Sequence, residues 1–197
     1  YNLSLLPDNV DIEKIFVCCC AFDFKDLVIS LLSKDKNLVN SNLKMKYEFG
    51  SKSPLYSAMN NNKNEIVQIL LSQSYNEIPS RLFAHSMRLT NISIPSSITS
   101  IGDYSFEGCL FLSNITIPSS VISIGKYAFR RCILLQSITI PSSVNFIDYS
   151  AFADCSLLEE ISISSSLTKI EFYTFENCTS LKKITIPSSV ISIGKNA

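Results

Sequence analysis

The chain has no tryptophan, one histidine, five glycines and seven prolines in 197 residues. A single histidine leaves a Ser-His-Asp or Cys-His site only one place to form, at His85. His85 follows Phe83 and Ala84 with no nucleophile patterned beside it, so we expect no catalysis there. Glycine-rich phosphate loops, H-E-x-x-H and paired-carboxylate patterns are missing as well. No excess of either charge exists, because acidic and basic residues number 17 each. That balance gives no reason to expect nucleic acid or an anionic membrane as a partner. The longest apolar run, Ile15 to Phe22, has eight residues. A membrane-spanning helix needs about 20, so no membrane insertion is expected of this chain. It opens at Tyr1 with no charged-then-apolar leader, and it reads as a fragment.

Isoleucine, serine and asparagine are abundant instead, and they recur. Ile94, Ile117, Ile140, Ile163 and Ile186 are spaced by 23 residues. The same interval links Phe83, Phe106, Phe129, Phe152 and Phe175, and Ile101, Ile124, Ile147, Ile170 and Ile193. A fixed period of this length marks a stack of repeats, each too small to bury its apolar face alone. Within one unit, Leu112, Ile115 and Ile117 with Thr116 between predict one strand per unit, half buried. Pro118 ends it, because it has no N–H for a ladder. Val121 and Ile124 re-enter the core on a second extended segment. Gly125 is expected to take a positive φ in the next bend. Residues Tyr127 to Cys132 predict a short helical turn that points Phe129 and Cys132 inward.

This unit resembles the BspA-like leucine-rich repeat, with its I-P-x-x-V-x-x-I-G-x-x-A-F-x-x-C signature. The resemblance covers about Ile78 to Ala197, with Pro79 and Ser86 replacing Gly and Cys in the first unit and Asp148 and Glu171 replacing Gly later. It implies a right-handed solenoid with a parallel sheet on its concave face.

Residues 8 to 33 carry a helical pattern, with Leu27, Val28, Leu31 and Leu32 on one face. The segment Phe16 to Leu32 aligns without gaps to Leu55 to Leu71, 39 residues later. Ser53-Pro54-Leu55-Tyr56-Ser57-Ala58 resembles the ankyrin T-P-L-H-x-A motif, with Tyr56 in place of His. The expected fold is thus a repeat solenoid of mixed α and β class. Ankyrin-like helix pairs occupy residues 1–76 and leucine-rich repeats residues 77–197. The ankyrin period is near 33, so Lys34 to Lys52 is where the extra residues would sit.

Seven cysteines do not follow a disulfide-scaffold pattern. Cys109, Cys132, Cys155 and Cys178 keep the 23-residue interval, and Cys18, Cys19 and Cys20 are contiguous. Three adjacent helical residues point about 100° apart and cannot converge on one ion. All seven are expected to be reduced, and neither metal nor cofactor is expected. Asn2, Asn91, Asn114 and Asn177 open N-x-[ST] sequons, which matter only in a secreted protein.

The expected function is a non-catalytic protein-interaction scaffold, cytoplasmic by the ankyrin resemblance. The alternative is a cell-surface adhesin, as the BspA-like resemblance implies. Candidate binding residues are Phe146, Tyr149, Phe172 and Ile122, which lie outside the periodic buried set and could anchor a protein partner. Glu159, Glu160, Lys182 and Lys183 face one another across one period and form a charged candidate patch. Thr116, Thr139, Ser162 and Thr185, at the outward centre of each strand, are short and poor as anchors.

Overall fold

A computed structural model of the chain describes Phe16, Cys19, Cys20, residues 24–34, Ala58, Asn61 and residues 63–197. Two compact units divide between Ser74 and Tyr75. Cys18, Asn2, the Lys34–Lys52 connection (past Lys34) and the Ser53–Ser57 part of the ankyrin-like motif lie outside the described residues.

The first unit contains helices α1 (Lys25–Lys34) and α2 (Asn64–Ser74). Each buries one stripe, Val28, Leu31 and Leu32 on α1 and Ile66, Val67, Leu70 and Leu71 on α2. The 39-residue equivalence holds in hydrogen bonds as well as burial. Phe24 N–H donates to Cys19 O and Lys63 N–H to Ala58 O, at 3.1 and 2.8 Å. Val28 N–H to Phe24 O matches Val67 N–H to Lys63 O, both at 2.9 Å. Cys19 and Ala58 are both buried, so a small residue takes the same inner position ahead of each helix. Lys25 bridges to Glu65 at 2.6 Å, but both side chains are largely exposed and the pair adds little.

The second unit is a solenoid of parallel strands. Each repeat contributes two strands, not the single strand expected from the sequence. The first set is β2 (Asn91–Ser93), β4 (Asn114–Thr116), β6 (Ser137–Thr139), β8 (Glu160–Ser162) and β10 (Lys183–Thr185). The second is β1 (Glu77–Ile78), β3 (Ser100–Ile101), β5 (Ser123–Ile124), β7 (Phe146–Ile147), β9 (Lys169–Ile170) and β11 (Ser192–Ile193). The sequence reading saw this second segment as extended but did not pair it. Every pairing is parallel and offset by one period, as in Ile92↔Ile115 and Ile101↔Ile124. The central isoleucine of each first-set strand is buried or half-buried while its neighbours face out, and in the second set the isoleucine faces in on every strand but β11.

Neither ladder is continuous. The second-set ladder joins β1, β3, β5 and β7, and then β9 pairs only with β11. The break at β7 to β9 is the one step at which both repeats lack the glycine, with Glu171 following Asp148. The first set breaks between β4 and β6, and nothing in the sequence of those two strands explains it.

The glycines do not serve the expected purpose. Gly102, Gly125 and Gly194 do not have positive φ. They sit where one repeat presses on another. A Cβ on Gly102 would lie 2.6 Å from Ile78 O, and one on Gly194 2.5 Å from Phe172 N. Close approach of backbones, not a left-handed bend, is what glycine supplies here.

The left-handed conformation falls elsewhere, and it replaces the expected helical turn. Arg81, Tyr104, Tyr127, Ser150, Tyr173 and Asn196 form one positive-φ column. His85, Gly108, Arg131, Asp154 and Asn177 form the other. Alternation of this kind splits the amides into two sets. Tyr127, Phe129 and Arg131 donate to Tyr149, Ala151 and Ala153 in the following repeat at 2.8–3.0 Å. Ala128, Arg130 and Cys132 donate back to Gly125, Tyr127 and Phe129 at 3.1–3.3 Å. A helix would turn all its amides along its own axis and leave none for the neighbouring repeat. Asn, Asp and His tolerate the left-handed region better than most residues, which suits Asp154, Asn177 and His85.

Side chains from both strand sets and the turn meet in one core. Phe83, Phe106, Phe129 and Phe152 are fully buried. Their rings stack with centroids 4.9–5.2 Å apart and planes within 7°. That spacing matches the separation of about 4.8 Å between neighbouring strands. Each cysteine thiol donates to the phenylalanine carbonyl of the preceding repeat: Cys109 to Phe83, Cys132 to Phe106, Cys155 to Phe129 and Cys178 to Phe152, at 3.0–3.2 Å. The six described cysteines carry free thiols. In the last repeat Ile186 and Ile193 are 40% and 60% exposed, unlike their counterparts earlier in the columns.

Candidate functional site

The outward side chains of the second strand set and of the adjoining turn make up the aromatic candidate face. Ile122 precedes β5 and is 51% exposed, and Phe146, on β7, is 46% exposed. Phe172, just past β9, is 45% exposed, with the Lys169 ammonium 5.8 Å from its ring centroid. These three stand clear of the core, as their place outside the periodic set requires. Tyr149 is different. It is half-buried and its ring contacts run to Tyr127 and Tyr173, not to Phe146 or Phe172.

Tyr149 belongs to a column that sequence reasoning missed. Tyr104 stacks on Tyr127 at 4.9 Å, Tyr127 meets Tyr149 edge-on at 5.2 Å, and Tyr149 meets Tyr173 at 5.4 Å. Tyr104, Tyr127 and Tyr173 share one register position, but the fourth member of that register is Ser150. The neighbouring residue, Tyr149, supplies the missing ring. A search at strict period finds three tyrosines and a serine, so only tolerance of one residue would have revealed the column. Arg81 lies 4.6 Å from the Tyr104 centroid and Arg130 5.3 Å from that of Tyr127. A hydrogen bond with the Tyr149 phenol, aided by partial burial, pushes the Tyr127 hydroxyl up to about 12.

A second outward column also escaped notice, although it keeps the period. Phe111, Leu134 and Leu157 are 49%, 38% and 39% exposed, one in each successive repeat. Attention to the buried Leu112 in the same stretch masked them.

The charged candidates pair as the period implies. Lys182 bridges to Glu159 at 2.7 Å, while Glu160 and Lys183 are register partners on β8 and β10. Lys126 reaches Asp103 at 3.5 Å. Arg130 reaches Glu107 at 3.6 Å and Asp154 at 3.2 Å. The Asn177 amide, and after it Arg130, holds the Asp154 carboxyl below the ordinary carboxylate range. Thr116, Thr139, Ser162 and Thr185 are all exposed on the other strand face. His85 is exposed and has a positive φ. Among the described residues no three His, Cys, Asp or Glu side chains gather as metal ligands would. Nor is any described helix long and apolar enough to cross a membrane.

Over residues 57–197 the chain matches one family model, BspA type leucine rich repeat region, in six copies. The chain belongs to the BspA-type leucine-rich repeat family. That family is in general a non-enzymatic protein-interaction fold. Its match begins ahead of β1 and includes α2. Nothing in the comparisons matches ankyrin repeats. Among solved structures, a leucine rich cell surface protein from Faecalibacterium prausnitzii is 34% identical, with a TM-score of 0.53 over 62% of this chain and 30% of its own. A leucine-rich repeat protein of T. pallidum is 27% identical over 60% of this chain and 66% of its own, with a TM-score of 0.49. The pneumococcal vaccine antigen PcpA is 32% identical over 54% of this chain and 27% of its own, with a TM-score of 0.47. This chain therefore spans less than two thirds of the length of each. The comparison with curated proteins finds no match.

Proposed function

We propose that this chain is a binding segment of a cell-surface BspA-type protein, without catalytic activity, and that it meets a protein partner through its aromatic face. The observation that carries the surface location is the similarity to the F. prausnitzii cell surface protein, at 34% identity and a TM-score above one half. The cytoplasmic expectation rested on the ankyrin resemblance, which no comparison supports. The aromatic face is favoured by the exposure of Ile122, Phe146 and Phe172 beside half-buried Tyr149. Aromatic side chains are favoured at the anchoring points of protein interfaces. The charged residues Glu159, Glu160, Lys182 and Lys183 are exposed or half-exposed, with Glu159 and Lys182 paired and Glu160 and Lys183 in register, so they contribute little to affinity.

A second reading draws on the helix pair. The 39-residue equivalence of burial and hydrogen bonding between α1 and α2 favours two related helical repeats of the ankyrin kind, and with them an intracellular scaffold. Protease treatment of intact cells that make the full-length protein separates the two. Release of solenoid peptides from unbroken cells is the result expected. Protection until the cells are lysed would overturn the surface reading and leave the intracellular one.

A further inference from the structure

We infer that the outward face of β2 and β4 is a site of N-linked glycosylation, with Asn91 and Asn114 as acceptors and Asn177 left unmodified. The inference rests on the surface location proposed above, because an N-x-[ST] sequence meets a sugar donor only in an exported protein.

Strand geometry presents both sequons whole. Successive side chains point to opposite faces of a strand, so the first and third residues of a sequon share one face. Asn91 and Ser93 are exposed on β2 around the buried Ile92. Asn114 and Thr116 are exposed on β4 around the half-buried Ile115. The two residues that define each acceptor thus stand outward together, while the middle residue ties the strand to the core. The strands are parallel and in register, with Asn91 against Asn114 and Ser93 against Thr116. The two acceptors therefore form one patch.

The rest of the strand set confines that patch to one end. The hydroxyl is kept in every repeat, at Ser93, Thr116, Thr139, Ser162 and Thr185. The residue two places before it changes from asparagine to Ser137, Glu160 and Lys183. Charge thus takes over where the acceptors stop. In the repeat after Asn114 the equivalent side chain is the short, exposed Ser137, which leaves room for a bulky sugar.

The donor is an oligosaccharide carried on a polyprenyl diphosphate. In the transfer the asparagine amide nitrogen forms a bond to C1 of the first sugar. The bond from C1 to the diphosphate oxygen breaks, and the polyprenyl diphosphate leaves with that electron pair. The amide gives up one of its two protons to the transferring enzyme. The proton that stays keeps a local hydrogen bond possible. Asn114 Nδ2 donates to Ser113 Oγ at 3.3 Å and Asn91 Nδ2 to Thr90 Oγ1 at 3.4 Å, each the preceding residue.

Asn177 is placed differently. It lies in the turn with a positive φ, and its Nδ2 donates to Asp154 Oδ1 at 2.8 Å. Arg130 holds the other oxygen of the same carboxylate at 3.2 Å, so a sugar on Asn177 would crowd an ion pair. The middle residue of this sequon is Cys178, whose thiol donates to Phe152 O, and the Thr179 hydroxyl donates to Ser156 O. All three residues are engaged with the preceding repeat. Glycans on β2 and β4 leave the aromatic face open, because Ile122, Phe146 and Phe172 belong to the other strand set.

The test isolates full-length protein from the cells that make it and treats a digest with peptide-N-glycosidase. That enzyme removes an N-glycan and leaves aspartate in place of asparagine, and an untreated digest is the reference. Mass spectrometry should find the conversion at Asn91, Asn114 or both, and not at Asn177. Asn91→Gln with Asn114→Gln should abolish the mass loss of the intact protein on treatment. Ser93→Ala with Thr116→Ala, which keeps both asparagines, should abolish it as well. Conversion at neither strand position, or at Asn177, would overturn the assignment. Protease treatment of the intact cells separates this from the surface reading. Released solenoid peptides without a glycan overturn the glycosylation alone, whereas a glycosylated chain that is protected overturns the surface location alone. A protected chain without a glycan overturns both.

Discussion

Inside the solenoid the phenylalanine and cysteine columns are uniform, and on the aromatic face the columns are not. Phenylalanine follows phenylalanine through Phe83, Phe106, Phe129 and Phe152, and cysteine follows cysteine beneath them. Columns on the aromatic face change from one repeat to the next, for example Asp103, Lys126, Tyr149 and Phe172 at one position, whereas the outward column of the other strand set stays Thr116, Thr139, Ser162 and Thr185. The cause is the stacking itself. A buried ring can be covered only by a ring of the same size at the same height, because the interior is packed to crystal-like density. An outward side chain has solvent on one side and can vary without leaving a void. Stability is concentrated in the inner columns, and recognition has room to develop in the outer ones.

The sharpest way to break this contrast is Phe129→Ala. It removes a ring from the middle of the stack, with Phe106 and Phe152 held at 5.2 Å on either side. A loss of roughly 3–5 kcal/mol is expected in denaturant melts, because the neighbours cannot close the gap. A loss below about 1 kcal/mol would show that the inner column does not carry the fold.

Next in size is the response to alkali. Burial pushes the Cys109 thiol up to about 12 and the Cys178 thiol up to about 11 from 9.0. Cys132 and Cys155 move in the same direction for the same reason. The unfolded chain therefore loses these protons first. Stability is complete below pH 9 and falls as the pH rises toward 11. Cys109→Ala should flatten the fall in denaturant midpoint. A midpoint independent of pH over this range would mean the thiols are not buried away from solvent.

Ser105 sharpens the contrast from the opposite direction. It sits fully buried in the register occupied by Ala128 and Ala151, and its hydroxyl has no hydrogen-bond partner. Ser105→Ala should leave stability unchanged or raise it by up to about 1 kcal/mol. A clear loss on calorimetry would point to a hydrogen bond made through solvent. The smallest effect belongs to the outside. Lys182→Glu breaks a bridge whose partners are 71% and 46% exposed. The cost should be below about 1 kcal/mol and should shrink with added salt.

Periodicity made the inner columns legible, since burial in a stack demands the same residue at the same interval. The isoleucines, phenylalanines and cysteines could be assigned to the core for that reason, and the cross-repeat ion pair Glu159–Lys182 followed from it. Backbone conformation was less legible. Glycine was assigned the positive φ, but the left-handed positions hold Tyr127, Arg131 and Ser150, whose types do not advertise it. Only the need to send alternate amides to the next repeat explains them, and that need is tertiary. The pairing of the second segment was hidden because its strands are two residues long, too short for an alternating pattern. On the outer face, Phe146, Phe172 and Ile122 could be picked out as departures from the period. Tyr104, Tyr127 and Tyr173 could not, because the column that joins them passes through a neighbour in register.

The most direct test measures affinity and melting on one variant. With a partner in hand, Tyr149→Ala combined with Phe172→Ala should weaken binding at least tenfold, about 1.4 kcal/mol, while the melting temperature changes little. Reversal of Lys182 and Lys183 to Glu should have the smaller effect on affinity. If the charge reversal abolishes binding and the aromatic pair is silent, the interaction surface is the face of β2, β4, β6, β8 and β10, and the division of labour proposed for the outer columns is wrong.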